Sequence, residues 1–192
     1  RKDASAKVSE EDMIYFSLGI DRSEFILPSQ REDYHSDMRA VQLVRAVQDG
    51  KKLSQQDFSG INLKGADISG GIFNQCNFKG AVFYKTNAET ADFTGCCFDE
   101  AYMEGSNFTG CDFTGASFRR TFSKNNKWEK AFRDSEAEKY LTAVEKIIRL
   151  IEEGKLDIRT LAQTDLINLD IRRLDFSKID LEDLDLSMFA LD

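Results

Sequence analysis

Four cysteines, a single histidine and a steady supply of aspartates are the groups in this chain whose types could do chemistry. Cys76 and Cys96 lie twenty residues apart, and two thiols held together could close a disulfide or share a metal ion. No two cysteines have CxxC spacing, and His35 has no second histidine to join it in a site. His35 stands beside Ser36 at an expected helix start, where a surface or capping role suffices. The aspartates invite paired carboxylates or calcium, but oxygens spread evenly along a chain do not converge into a cage. The phosphate-binding GxxxxGKS/T, the dinucleotide GxGxxG, the zinc HExxH and the nucleophile GxSxG are all missing from the sequence. The expectation is therefore a chain without enzyme activity, with no catalytic, cofactor-binding or metal-binding residues and no cofactor. What remains is to ask which framework spaces these residues so evenly.

The segment SNFTGCDFTGASF, residues 106–118, shows that framework: a bulky apolar residue returns at every fifth position. Stepping by five from Phe113 gives the centres Phe58, Leu63, Ile68, Phe73, Phe78, Phe83, Ala88, Phe93, Phe98, Met103, Phe108, Phe113 and Phe118. From Ala66 onward, the residue two before each centre is small: Gly71, Cys76, Ala81, Thr86, Ala91, Cys96, Ala101, Ser106, Cys111 and Ala116. Asp or Asn often stands just before the centre, as at Asp57, Asp67, Asn77, Asp92 and Asp112, and Gly often two after it. In extended chain, residues two apart point the same way, so one large and one small side chain per segment face one interior. The fifth residue turns the chain, and Gly there tolerates unusual backbone angles. Short segments that keep turning in one direction form a coil, and coils need neighbours before either is stable. Cys76, Cys96 and Cys111 then read as small inward residues equivalent to Ala81 or Ala91, reduced and inert, while Cys97 points outward.

Residues 56–120 closely resemble the pentapeptide-repeat family in words such as Ala91-Asp92-Phe93 and Cys111-Asp112-Phe113. The resemblance implies a mainly β fold with helices: a right-handed quadrilateral β-helix, the pentapeptide-repeat solenoid, with four five-residue sides per coil and residues 20 apart stacked. The core ladder is then Phe58, Leu63, Phe73, Phe78, Phe83, Phe93, Phe98, Phe108, Phe113 and Phe118.

The organisation expected is an N-terminal helical region and cap at 1–52, the β-helix at 53–122, an inserted amphipathic helix at 123–156 and a second, degenerate block at 157–192. In that last block Leu166, Ile171, Phe176, Leu181, Leu186 and Leu191 keep the five-residue step. Its inner partners Leu169, Leu174, Ile179, Leu184 and Phe189 are large where small ones are needed, so two bulky side chains would overfill a narrow coil. A helix ending in Gly-Lys precedes each block. Met38, Val41, Val44 and Val47, with Leu43, form the stripe of the first; Leu141, Val144, Ile147, Ile148 and Ile151 form that of the second. Gly50 and Gly154 fall where left-handed caps belong, and Ser135 with Glu138 offers a capping box. Both helices are read as plugs for the ends of a solenoid. Residues 9–19 read as a further short helix, and 21–35 as a loop that packs through Phe25, Ile26 and Leu27.

Net charge is −8 and no apolar run has the length of a membrane span, so direct nucleic-acid binding and a membrane span are not expected. Function should then lie on the outer walls. One side carries Val82, Tyr84 and Tyr102 outward with Lys64, Lys85 and Glu104, either covered by N-terminal helices or forming a contact patch for another protein. The outside of the second block is acidic. The resemblance implies a non-catalytic protein-protein interaction scaffold of bacterial origin, cytoplasmic, a regulator or a secreted effector delivered into a host cell. Two alternatives accompany it: an acidic DNA mimic that protects or inhibits a type II topoisomerase, and the β-helical portion of a larger effector resembling a HECT-type ubiquitin ligase.

Overall fold

The computed structural model describes residues 37–156. The expectations for residues 9–19, 21–35, His35 and the second block at 157–192 lie outside the described residues. Helix α1 spans Met38–Gln48, strands β1, β2 and β3 span Val82–Tyr84, Tyr102–Glu104 and Phe122–Lys124, and helix α2 spans Ser135–Glu152.

Every fifth residue from Gln55 to Lys130 has a positive φ, at eight glycines and eight other residues, so the turn falls at one phase without a break. Between turns each segment is too short for a helix and lies extended. The strands pair in parallel in the order β1-β2-β3, with Val82 opposite Tyr102 and Tyr102 opposite Phe122. Isolated bridges such as Asp57 with Asn77 and Asp92 with Asp112 repeat the twenty-residue register on the remaining segments. Centre N–H groups donate to carbonyls nineteen residues ahead, as from Phe58 to Asn77 and from Phe93 to Asp112, both at 2.8 Å. The residue before a centre donates twenty-one back, as from Asp92 to Gly71 at 2.9 Å. The coil rises about 4.8 Å per turn by strand spacing.

The centres stack inside. Phe78, Phe98 and Phe118 lie 5.4 and 5.3 Å apart with interplanar angles of 7° and 8°, and Phe73, Phe93 and Phe113 form a second pile at 5.2 Å steps. All the expected core residues are buried except Phe58, which is only half-buried because it stands in the first coil. The ladder does not stop at 122: bridges reach Lys127 and Phe132, and β3 begins where the inserted helix was expected. Ser123, Trp128 and Arg133 occupy the centre phase there, which hides the repeat from a search for Phe or Leu.

The small inner position has a polar use as well as a steric one. Thr86 Oγ1 donates to Leu63 O at 2.7 Å, Ser106 Oγ to Phe83 O at 2.8 Å and Cys96 Sγ to Phe73 O at 2.9 Å, each twenty-three residues back. Asn126 Nδ2 makes the same bond to Met103 O at 2.8 Å. A short side chain with one donor fits this slot and reaches the centre carbonyl of the coil before it.

Both helices close the ends of the coil, and each does so through its N-cap aspartate. Asp37 Oδ1 caps α1 by accepting from Arg39 N at 2.9 Å, while Oδ2 accepts from Asn62 N at 3.2 Å. In the interior that N–H would meet the preceding coil, which does not exist here. Arg39 Nη1 in turn donates to the edge carbonyl of Ser59 at 3.2 Å. At the far end Asp134 Oδ1 caps α2 at Ala137 N, 3.0 Å, and Oδ2 accepts from the edge N–H of Gly115 at 3.1 Å. The cap is therefore Asp134 and not the expected Ser135, since its carboxylate reaches both helix and coil. Glu145 of α2 accepts from Ser123 Oγ at 2.7 Å and Trp128 Nε1 at 3.0 Å, two centre residues of the last coil. Gly50 and Gly154 take the left-handed conformation beyond the helix ends.

The stripe expected on α1 needs correcting: Met38 is 67% exposed, and the helix docks through Ala40 and Leu43. Val44 and Val47 are only partly buried against the core. On α2 the expected Leu141, Val144, Ile147, Ile148 and Ile151 are all buried, with Ala137.

Two stability predictions arise here. Asp37→Ala removes a helix cap and leaves Asn62 N–H without its acceptor, so a loss of about 1–2 kcal/mol is expected from denaturant titration, with Asp37→Asn losing less. Thr90 is a β-branched residue held at φ 59°. Thr90→Gly relieves that conformation and is expected to raise stability by about 0.5–1 kcal/mol after the entropy cost of glycine, measured the same way.

Candidate functional site

The outer wall built on β1, β2 and β3 brings together the residues singled out from the sequence. Successive rungs place Lys64, Tyr84, Glu104 and Lys124 twenty residues apart in one column. Lys64 Nζ lies 5.5 Å and Lys85 Nζ 5.2 Å from the centre of the Tyr84 ring, within cation–π range. The Tyr102 hydroxyl donates to the Glu104 carboxylate. Lys124 Nζ stands 3.9 Å from Glu104 Oε1 and pairs with Glu152 near the end of α2. Lys64 and Lys85 are exposed, while Tyr84, Glu104 and Lys124 are half-buried. Lys124 and Glu152 were not singled out from the sequence, although one further step of twenty from Glu104 reaches Lys124.

Val82, Tyr102 and Phe122 form the adjoining column. None joins the interior cluster, which agrees with an outward direction. The direction was legible, but exposure does not follow: Val82 is 9%, Tyr102 0% and Phe122 6% exposed. Tyr102 stacks on Phe122 at 4.9 Å and 5°, and lies 6.5 Å from Tyr84. Val82 and Tyr102 are thus not open contacts.

The aspartates and asparagines before the centres are consumed by the fold. Asp67 Oδ1 accepts from Ser69 N at 3.1 Å and from Asn87 Nδ2 at 3.0 Å, and Asp57 repeats both bonds with Ser59 and Asn77. Hydrogen bonds from the Ser69 hydroxyl and N–H hold the Asp67 carboxyl below its ordinary range. At Asp37 burial raises the value, but bonds from Arg39 and the Asn62 N–H outweigh it and the net direction is down.

The repeat phase, the twenty-residue register and the small inner slot are the features by which a family is recognised. The family model for pentapeptide repeats matches residues 57–95 and 90–122, in eight copies. Residues 57–122 are pentapeptide repeats. Its fold is of the right-handed β-helix type with helices. Similar solved structures include HetL, a pentapeptide repeat protein involved in heterocyst differentiation regulation from the cyanobacterium Nostoc, 19% identical with a TM-score of 0.40. That match covers 47% of this chain and 41% of HetL, so the chain spans less than half of HetL's length. A pentapeptide repeat protein of the Arabidopsis thaliana thylakoid lumen is 28% identical over 50% of this chain and 77% of that one, with a TM-score of 0.29. QnrB1, a plasmid-mediated fluoroquinolone resistance protein, is 15% identical over 45% of this chain and 64% of that one, with a TM-score of 0.26. No curated protein matches the sequence.

All four cysteines are free thiols within or beside these repeats, and no cluster suited to a metal occurs among the described residues. Burial pushes the Cys96 and Cys111 thiols up to about 12, and raises Cys76 as well. Cys97 is half-buried on the outer wall. A disulfide-exchange reagent at pH 8 is therefore expected to label Cys97 in the folded protein and the other three only after denaturation, counted by mass spectrometry. The fold favours the neutral form of Cys96 and Cys111, so their contribution is complete below the ordinary thiol value and is lost as pH climbs toward 12. No helix among the described residues is long and apolar enough to cross a membrane.

Proposed function

We propose that this chain is a non-catalytic scaffold: a four-sided right-handed β-helix, plugged at both ends, that binds another protein through one wall. The observation carrying this reading is the column Lys64–Tyr84–Glu104–Lys124 with Lys85 beside it. It sets an aromatic ring and charges of both signs on a backbone locked by parallel hydrogen bonds. A rigid wall loses little conformational freedom on association, and Tyr flanked by cations suits a contact with an acidic or aromatic side chain of a partner. The polar groups elsewhere support the same reading, because the inner thiols and hydroxyls donate to backbone carbonyls and the outer carboxamide of Asn87 donates to the Asp67 carboxylate one coil back.

Charge weighs against a DNA-mimicking wall. Residues 37–156 hold 17 of the 26 Lys and Arg and 17 of the 34 Asp and Glu, so the plugged coil is neutral and the whole net charge of −8 falls on the two flanking segments. Bacterial origin, a cytoplasmic place of action and delivery as an effector are carried only by the resemblance.

The test is capture from cells with the full chain as bait, beside the triple variant Lys64→Glu, Tyr84→Ala, Lys85→Glu. A partner held by the first and lost by the second, at equal melting temperature, supports the reading. Equal capture by both would move the binding surface elsewhere.

A further inference from the structure

We propose that the groove between α1 and the first coil holds an extended segment of the protein partner, bearing a carboxylate side chain next to an aliphatic one. A seat here rests on the scaffold reading and adds to it the chemistry of the partner.

The groove has a volume of about 430 Å³, and its two banks come from different elements. Val41, Val44 and Arg45 of α1 form one bank; Asn62, Lys64 and Gly65 of the first coil form the other. The valine stripe faces this space. Ala40 and Leu43 dock on the coil, which leaves Val41 36% exposed and Val44 half-buried along the groove. At Gly65 an added methyl would meet nothing within 4 Å, so the opposite bank stands clear. An aliphatic side chain laid on the valines removes apolar surface from water on both partners.

The polar groups decide the rest of the occupant. On later coils the carboxamide before a centre binds one coil back. Asn77 accepts from Lys79 N at 3.0 Å and sends its Nδ2 to Asp57 Oδ1 at 3.0 Å. Asn62 makes the same local bond, accepting from Lys64 N at 3.1 Å, but it belongs to the first coil. Its Nδ2 has no acceptor among the described residues. The backbone repeats the pattern: Val82 O accepts from Leu63 N at 2.8 Å, one coil back, whereas Asn62 O has no donor among the described residues.

Charge points the same way. Arg45 is exposed, and its side chain makes no ion pair or hydrogen bond among the described residues. Lys64 is a second cation in the lining. The single carboxylate there, Asp37, is held by Arg39 and by the N–H groups of Arg39 and Asn62. A carboxylate from outside fits Arg45 and Asn62 Nδ2, and a peptide N–H fits Asn62 O. A lone anion leaves Asn62 O without a donor, and a purely apolar segment leaves the carboxamide and guanidinium without an acceptor. Lys64 belongs to the wall column as well, so the two seats adjoin.

The test titrates the isotope-labelled full chain with acetyl-Val-Glu-Leu-amide and follows backbone amide shifts. Saturable shifts at Val41, Asn62 and Leu63 are expected. Acetyl-Val-Gln-Leu-amide is expected to bind about fivefold more weakly, and so is the Glu peptide to Arg45→Gln and to Asn62→Asp. Asn62→Asp suits the fold, because Asp57 and Asp67 hold the same repeat position. Absence of a saturable shift, equal affinity for the two peptides, or undiminished binding by both variants overturns the proposal. The same shifts with sodium acetate alone, an adventitious ion only, overturn it equally. Peptide binding that survives a failed capture through Tyr84 and Lys85 would sink the wall and leave the groove; capture without peptide binding would do the reverse.

Discussion

Phe93→Asp leaves no folded coil at room temperature, by circular dichroism and by loss of the protected amides of the interior. Phe93 is wholly buried and sits in a pile between Phe73 and Phe113, each ring 5.2 Å away, with Phe98 against its edge. Removing a buried Phe costs about 3–5 kcal/mol. An unpaired carboxylate in its place adds several kcal/mol, because every nearby hydrogen-bond donor is already engaged in the ladder. Together these rival the whole stability of a domain of this size, roughly 5–15 kcal/mol. Phe93→Leu is the companion variant, expected to fold and to melt lower. If Phe93→Asp melts with the wild type, the ring is not inside.

Ala91→Leu produces the second-largest loss, about 1–3 kcal/mol by overpacking, read as a lower midpoint in urea with an unchanged slope. Ala91 is 1% exposed in the small slot, two residues before Phe93 and pointing the same way. Three added carbons have nowhere to go but into the Phe73–Phe93 stack. The neighbouring slot at Gly71 shows how little room exists: a methyl there would lie 2.3 Å from Phe73 Cε2 and 3.0 Å from Ile68 O. By contrast Ala91→Ser should cost little, since Ser106 and Thr86 show that a hydroxyl in this slot finds a carbonyl one coil back. A Leu variant with the wild-type midpoint would mean that the slot opens to solvent.

Much of this was legible because one steric requirement is repeated many times. A bulky centre, a small partner two before it and a left-handed residue two after it recur in phase, so the interior ladder and both glycine caps could be read from spacing alone. The end of the repeat could not, because Ser123, Trp128 and Arg133 replace the expected Phe or Leu. Those side chains are chosen by what lies above them. Ser123 and Trp128 donate to Glu145, and Arg133 stacks 4.8 Å from the Trp128 ring while pairing with Glu138. A terminal coil obeys its plug rather than its period. The face of α1 was misjudged for a related reason: the valine stripe is regular, but the helix is turned by Asp37 and Arg39 reaching the coil edge, which brings Ala40 and Leu43 inward. At the candidate wall, alternation in a strand gave the direction of Val82 and Tyr102 correctly. It carries no information on what lies over them, since burial from outside depends on residues distant in sequence.

The double duty of Asp37 and Asp134 has a mechanical consequence. In most stacked-repeat proteins the outermost unit can peel while the rest stays shut. Here one carboxylate clasps both the first turn of a helix and the exposed rim of the coil, so the rim cannot let go without unwinding the helix, nor the helix without baring the rim. Fraying at either tip is thereby tied to a larger event, and amides at 57–67 and 113–132 should exchange with deuterium nearly as slowly as those at 90–100. A barrel hooped at both ends springs its staves all at once or not at all.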